Sequence, residues 1–174
     1  SYDVLADKTP VGVVGMVAYA GINMRLIISL ETTSLKWGPT DTDVPCLEYI
    51  SYASDWYGLE NTRCLMEQAG EYSAAKYCHD YKPVAEGKYS SDWYLPAAGE
   101  LKAMNNKDIS AVNAGLSMVN NALQKLGKAK LENSYWSSSE YSNITSAETV
   151  RLSDGNNSYY SKSTTYNVLC VHKL

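Results

Sequence analysis

The spacing of apolar residues changes twice along the chain, and this order limits the fold more than any single motif does. Two Val- and Ile-rich segments, 11–19 and 24–30, flank turn residues and predict a β-hairpin. Apolar residues then recur at helical spacing between residues 60 and 126, and alternation returns after residue 130. Strands, then helices, then strands predict an α+β fold with an antiparallel sheet and two or more helices.

The middle of the chain is predicted to contain several helices. Gly70 divides the helical segment 60–81 into two short helices, and Pro96 fits the first position of another. The clearest helix is capped by Asp108 and stopped by Gly127. Its apolar face consists of Ile109, Val112, Leu116, Val119, Leu123 and Leu126.

Length and charge limit the domain count and the partners. The 174 residues fit a single domain at 10–174, preceded by an irregular tail or linker at 1–9. The most apolar stretch contains Arg25, and a charge near the middle of a membrane span is costly, so no span is expected. A net charge of −4 without a basic stripe argues against a nucleic-acid partner. No signal or anchor segment is visible, and a chain starting at Ser1 is expected to be a mature or trimmed form.

The four cysteines leave more than one interpretation open. They lack CxxC spacing, so a zinc ribbon or a redox motif is not supported. The even number fits one or two disulfides of an exported protein, which we favour, and it also fits four free thiols. A bridge between Cys78 and Cys170 would tie the helical region to the last strand, with Cys46 and Cys64 as a second pair.

Residues that could carry chemistry are few. A zinc site built from Cys78, His79, Cys170 and His172 is disfavoured, because adjacent residues point in different directions and the spacing matches no standard module. Neither histidine lies in a nucleophile-elbow context. The acidic residues Asp41, Asp43 and Glu48 lack the spacing of a calcium loop. We therefore expect no enzymatic activity, no cofactor and no metal.

The segment 156–167 is the most unusual part of the sequence. Apart from Lys162 it contains only Asn, Ser, Thr and Tyr, in a chain with 15 Tyr and no Phe. Tyr offers contact area at low entropy cost, and Ser and Asn offer adaptable hydrogen bonds, as in antibody combining loops. Each of Ser, Thr and Tyr also lies one adenine substitution from an AAC or AAT codon for Asn. A plain solvated loop is the alternative.

A binding surface is predicted from this segment and from the residues just before it. Within the strand at 149–152, alternation places Val150 and Leu152 inwards and Thr149 and Arg151 outwards. The candidate ligand-binding residues are Ser142, Asn143, Thr145, Thr149, Arg151, Asn156, Ser158, Tyr159, Tyr160, Ser161, Ser163, Thr164, Thr165 and Tyr166.

Three motifs resemble those of a known family. Residues 92–101, DWYLPAAGEL, resemble the pattern D-W-x-L-P-(S/T)-x-x-E-L, and residues 135–141, YWSSSEY, resemble Y-W-S-S-(S/T)-E-Y. The ending NVLCV at 167–171 resembles Y-V-R-C-V. Together they resemble the C-terminal (Lcl-type) domain of bacterial collagen-like surface proteins, which implies a C-type-lectin-like fold over most of the chain. Leu169 stands where that family has Arg, and Glu148 where it has Trp.

The chain is also similar to the variable proteins of diversity-generating retroelements, in which the stretch after the Y-W-S-S-S-E-Y motif is rewritten at Asn codons. This resemblance implies an exposed, diversified face on a rigid fold. It predicts a non-catalytic adhesin or receptor-type domain, displayed on or secreted from a bacterial cell, that contacts a protein or a glycan. The E-P-N and W-N-D motifs of calcium-dependent sugar binding are absent from the sequence. The alternative is a structural pilus or cell-envelope module without a diversified site.

Overall fold

A computed structural model describes residues 2–4, 10–19, 22–47, 54–105, 115–141 and 144–174 of the chain. The strands are β1 (Tyr2–Val4), β2 (Pro10–Tyr19), β3 (Ile22–Lys36), β4 (Ser134–Glu140), β5 (Ser146–Arg151), β6 (Asn157–Ser161) and β7 (Thr165–Lys173). The helices are α1 (Gly58–Glu67), α2 (Ser73–His79), α3 (Ala98–Met104) and α4 (Leu116–Lys125). The order of strands and helices confirms the α+β prediction.

The seven strands form one sheet in the order β1-β2-β3-β7-β4-β5-β6. Each neighbouring pair is antiparallel except β4 and β7, which meet in a parallel bridge at a single pair, Tyr135 with Asn167. The prediction of a purely antiparallel sheet is therefore wrong at this junction. Two side-chain hydrogen bonds connect the strands there instead of a regular ladder. The indole of Trp136 donates to the Leu35 carbonyl at 3.0 Å, and the indole of Trp37 donates to the Ser137 carbonyl at 2.8 Å.

Apolar residues cover both faces of the sheet. Alternate residues of β7 divide between two cores: Leu169 and Val171 pack on the side of α3 and α4, whereas Val168 and Cys170 pack on the side of α1 and α2. Because both faces are covered where the strands are central, residues 26–29 of β3 and 168–172 of β7 are buried without interruption. Trp93 and Trp136 belong to the second core.

Several helix boundaries follow the sequence signals and some do not. The break between α1 and α2 contains Gly70, as predicted. Helix α3 begins at Ala98, so Pro96 precedes the helix and is not its first residue. The Pro96 carbonyl accepts a hydrogen bond from the Ser138 N–H at 2.9 Å. The segment 1–9 was predicted to be irregular, but Tyr2–Val4 form β1 and pair with β2.

Helix α4 starts later than its apolar periodicity suggested. Gly115, with φ of 78°, precedes its first residue, and Asp108, Ile109 and Val112 lie outside the described residues. Gly127 ends the helix at φ 71°, and the Lys128 N–H donates to the Leu123 carbonyl at 2.9 Å, as in a Schellman motif. Among the described residues, α1 and α4 have ten residues each, and no helix is long and apolar enough to cross a bilayer.

One disulfide ties a helix to the sheet, and a second ties a helix to a turn. Cys78 of α2 is bonded to buried Cys170 of β7, which is the pairing favoured from the sequence, and Cys46 is bonded to Cys64 of α1. The two bridges close loops of very different length, with sequence separations of 92 and 18 residues.

Removing the two bridges separately tests their unequal contributions. The loop-entropy relation gives the bridge with separation 92 about 1.4 kcal/mol more stabilisation than the bridge with separation 18. We expect Cys78→Ala/Cys170→Ala to lower the free energy of unfolding by at least this much more than Cys46→Ala/Cys64→Ala. Urea unfolding without reductant measures both variants, and an equal or reversed ranking would contradict this expectation.

Candidate ligand-binding face

Strand β6 and the turn after it form an exposed surface. Tyr159 and Tyr160 are 53% and 40% exposed, although their rings are large and apolar. Seven of the predicted site residues are exposed beside or between these rings: Asn156, Ser158, Ser161, Ser163, Thr164, Thr165 and, on the flank, Thr145. We call the exposed side chains of residues 156–165 together with Tyr166 the tyrosine face.

The tyrosine rings are held in pairs. Tyr159 stacks on Tyr141, with ring centroids 3.8 Å apart and an interplanar angle of 9°. Tyr160 lies 4.6 Å from Tyr166, which in turn meets Trp136 edge to face at 5.2 Å. Burial and the neighbouring Tyr160 hydroxyl raise the pKa of Tyr166 to about 12, so its hydroxyl is neutral at physiological pH. Rings that are already ordered lose little rotamer freedom on binding.

One residue of the segment is fully buried. The side chain of Lys162 is 0% exposed and forms an ion pair with Glu140, at the end of β4. Its Nζ also donates to the Thr42 carbonyl at 2.7 Å and lies 5.1 Å from the centre of the Trp37 ring. A buried ammonium requires such partners, because it loses its hydration.

The backbone of Lys162 is bonded as well. Its carbonyl accepts bonds from the N–H groups of Trp37 at 2.9 Å and Gly38 at 3.3 Å, and its N–H donates to the Thr145 carbonyl at 2.9 Å. The residue thus fastens the turn between β6 and β7 to two other loops. It was not among the predicted site residues, although its charge, alone within a neutral segment, is the signal that marks it.

The flank at 142–151 agrees less well with the predicted surface. Ser142 and Asn143 lie outside the described residues. Arg151 is exposed and pairs with Asp154. Thr149 was predicted to point outwards but is 1% exposed, because its side of β5 faces the second core beside Trp136. The Thr149 hydroxyl donates to the Ser158 carbonyl at 3.3 Å, so Thr149 stabilises the backbone of β6 and is not itself part of the exposed surface.

A buried carboxyl lies next to Thr149 in β5. Glu148 is 2% exposed, and within the described part of the chain its Oε2 has no hydrogen-bond partner. Burial, and then the charge of Asp55, raise the pKa of Glu148 to about 7. Asp55 accepts bonds from the Ser139 hydroxyl at 2.6 Å and the Asn61 amide at 3.0 Å.

The remaining candidates for chemistry are dispersed. His79 is exposed beside Asp80, whereas His172 is buried against the rings of Tyr89 and Trp93. The thiol of Cys78 is consumed in a disulfide. Within the described residues, no group of three His, Cys, Asp or Glu side chains is arranged to hold a metal.

Replacing Lys162 tests whether it anchors the face. We expect Lys162→Met to lower the free energy of unfolding by about 3 kcal/mol or more, because Glu140 would remain buried without its partner. Lys162→Met/Glu140→Gln should recover most of this loss. The control is Lys130→Met, since Lys130 is exposed and lies 3.9 Å from Glu132. Urea unfolding of the wild-type chain, Lys162→Met, Glu140→Gln and the double variant gives the coupling energy. A loss in Lys162→Met no larger than that of the Lys130→Met control would contradict the anchoring role.

The raised pKa of Glu148 predicts how the free energy of unfolding depends on pH. Its folded pKa of about 7 exceeds the ordinary 4.5, so its stabilising contribution is present below pH 4.5 and lost as the pH rises through 7. We expect Glu148→Gln to remove a decline of about 3 kcal/mol between pH 4.5 and 7.5. Glu100, whose pKa burial raises to about 8, contributes a decline of the same sign to both proteins.

The control for this pH series is Glu132→Gln, because Glu132 is 60% exposed. Chemical unfolding at half-unit pH steps measures the three curves. Parallel curves for the wild-type chain and Glu148→Gln would contradict the raised pKa of Glu148.

Comparisons with known proteins agree with this architecture. A family model described as the Lcl C-terminal domain matches residues 28–172. No curated protein matches the chain. The crystal structure of a fimbrial protein from Bacteroides ovatus superposes with a TM-score of 0.67 at 21% identity. That match covers 96% of this chain and 44% of the fimbrial protein, so the chain spans less than half of that protein's length and shares its fold. Because the family match extends over most of its residues, the chain belongs to the Lcl C-terminal domain family.

Proposed function

We propose that this chain is a non-catalytic binding domain of adhesin or receptor type, and that the tyrosine face contacts a protein or glycan ligand. One observation carries the proposal: large aromatic rings are exposed and pre-ordered on a segment fastened by buried Lys162. Exposed Tyr with Ser and Asn supplies contact area and adaptable hydrogen bonds at low entropy cost. A domain without such a role has no need to keep these rings in water.

We further propose that the domain lies on or outside a bacterial cell and has a C-type-lectin-like fold. The Lcl family match and the structural similarity to a fimbrial protein support a surface location. The two disulfides support an oxidising compartment.

The face is also proposed to be one version of a diversified surface. In support, the exposed positions among residues 156–165 hold only Asn, Ser, Thr and Tyr, whereas the one lysine is buried. The DNA tests this part of the proposal. Diversification predicts a nearby near-repeat of codons 142–167 that differs only at template adenines, with a reverse-transcriptase gene close by. Differences spread over all four bases, or the lack of any such repeat, would contradict it.

A structural pilus or cell-envelope module is the second candidate, because the chain shares its fold with a fimbrial protein. In that role the tyrosine face would be an inert surface. The two candidates differ in what happens when the rings are removed, since an inert surface contributes nothing to binding.

Alanine substitution of the face tests binding directly. The labelled domain is applied to a glycan microarray and to a microarray of bacterial and host surface proteins. We expect Tyr159→Ala/Tyr160→Ala/Tyr166→Ala to weaken binding to the strongest partner at least about a hundredfold, since buried aromatic anchors dominate interface energies. The matched control is Tyr77→Ala, a partly buried tyrosine of α2. Unchanged binding by the triple variant would eliminate the face as the binding site.

A further inference from the structure

Among the described strands, β6 is the last of the sheet and pairs with β5 alone. We propose that the tyrosine face binds an extended segment of a partner polypeptide, which adds to β6 as a further strand. The inference rests on the proposed binding function and narrows it from a protein or glycan to a peptide in β conformation.

The register of β5 and β6 shows which backbone groups are free to pair. The Lys162 N–H donates to the Thr145 carbonyl at 2.9 Å, and the Arg151 N–H donates to the Asn156 carbonyl at 2.8 Å. Hydrogen-bonded pairs alternate along an antiparallel ladder, and the register from 146–161 to 150–157 is unbroken. Residues 158 and 160 therefore bond to β5, while residues 157, 159 and 161 direct their N–H and C=O groups away from it.

These outward groups have few partners. Within the described residues, only the Ser161 carbonyl is engaged in a backbone bond, accepting from the Thr164 N–H at 2.8 Å. Asn157 and Tyr159 each retain an outward donor and an outward acceptor. Such groups repeat at about 6.8 Å along a strand, the spacing that a second strand presents in return. A glycan backbone carries no amide N–H and C=O groups at this spacing.

Between residues 157 and 161 the edge also lacks three of the usual protections against strand pairing. Exposed edges are commonly blunted by charged side chains, by Pro or by a bulge. Between Asn157 and Ser161 the sequence NSYYS contains no charge and no Pro, and the register contains no bulge. An edge that is open among the described residues is consistent with a natural strand partner.

The tyrosines flank this edge on both sides. Consecutive residues of a strand point to opposite sides of the sheet, so Tyr159 and Tyr160 extend on either side of β6. Tyr159 is backed by Tyr141 and Tyr160 by Tyr166. A docked strand would gain main-chain bonds from β6 and side-chain contacts from both rings, the combination by which strand addition achieves affinity and specificity.

The probe for this proposal is a library of random linear dodecapeptides displayed on phage and selected on the oxidised domain. A selected peptide is synthesised with single N-methyl groups placed along it. We expect methylation at alternate residues to weaken binding at least about tenfold, because those N–H groups would face β6, whereas methylation at the intervening residues should change binding little. Because the change is made in the peptide, the fold of the domain is not at risk.

Amide hydrogen exchange locates the docked strand on the domain. In the free domain the amides of Ser158 and Tyr160 should exchange slowly, and those of Asn157, Tyr159 and Ser161 rapidly. Saturation with the selected peptide should slow the second set at least about tenfold. Peptide binding without this protection, or methylation that weakens binding equally at every residue, would overturn strand addition.

Other outcomes separate this inference from the binding function itself. No selected peptide, together with binding to a glycan microarray that is lost in Tyr159→Ala/Tyr160→Ala/Tyr166→Ala, would overturn strand addition and keep the face. Self-association of the free domain with the outward amides protected would show that a second copy occupies the edge, which also overturns the proposal. The alternating effects of methylation could also persist in the triple variant. This result would support strand addition and would show that the tyrosine side chains are not needed for binding, which contradicts the proposed function.

Discussion

The ion pair between Lys162 and Glu140 is the interaction on which the surface depends. It joins the turn after β6 to the end of β4, and the same lysine binds the loop that contains Thr42. A pair buried this deeply adds little net stability over an apolar pair of similar size, but breaking it leaves a charge without compensation. The pair therefore acts mainly to specify one position for the turn. The position of the turn then fixes the end of β6, the strand that carries Tyr159 and Tyr160.

The rest of the fold consists of a buried support, which includes β4, and an exposed surface on β6. The motif at 135–141 supplies all of β4 except Ser134, and every residue of β4 after Ser134 is buried. The serines of the strand therefore bond to neighbouring segments instead of to water. Trp136 and Trp37 close the junction between the two halves of the sheet, where the ladder is reduced to one bridge. Among the described residues, β6 pairs with this support along one edge only, through β5. Substitutions on the exposed side should therefore have small effects on stability, as exposed positions generally do.

The sequence predicted the order of strands and helices and the exposure of Tyr159 and Tyr160, because apolar spacing and local composition determine them. The Cys78–Cys170 bridge was one of several states that the sequence left open for the four cysteines. It did not predict the burial of Thr149, since alternation distinguishes two sides of a strand but cannot show that both sides are covered. The role of Lys162 was also missed. Its partners lie at residues 42 and 140, and such distant contacts leave no periodic signal in one sequence.

The central claim is that buried Lys162 holds a surface whose exposed residues are replaceable. The most direct measurement is the unfolding free energy of a chain in which Ser158, Tyr159, Tyr160, Ser161, Ser163, Thr164 and Thr165 are all replaced by Asn and Lys162 is kept. The account predicts a folded protein that loses less than about 2 kcal/mol relative to the wild-type chain. Loss of cooperative unfolding, or a decrease of more than about 4 kcal/mol, would show that the face is part of the scaffold and would contradict the account.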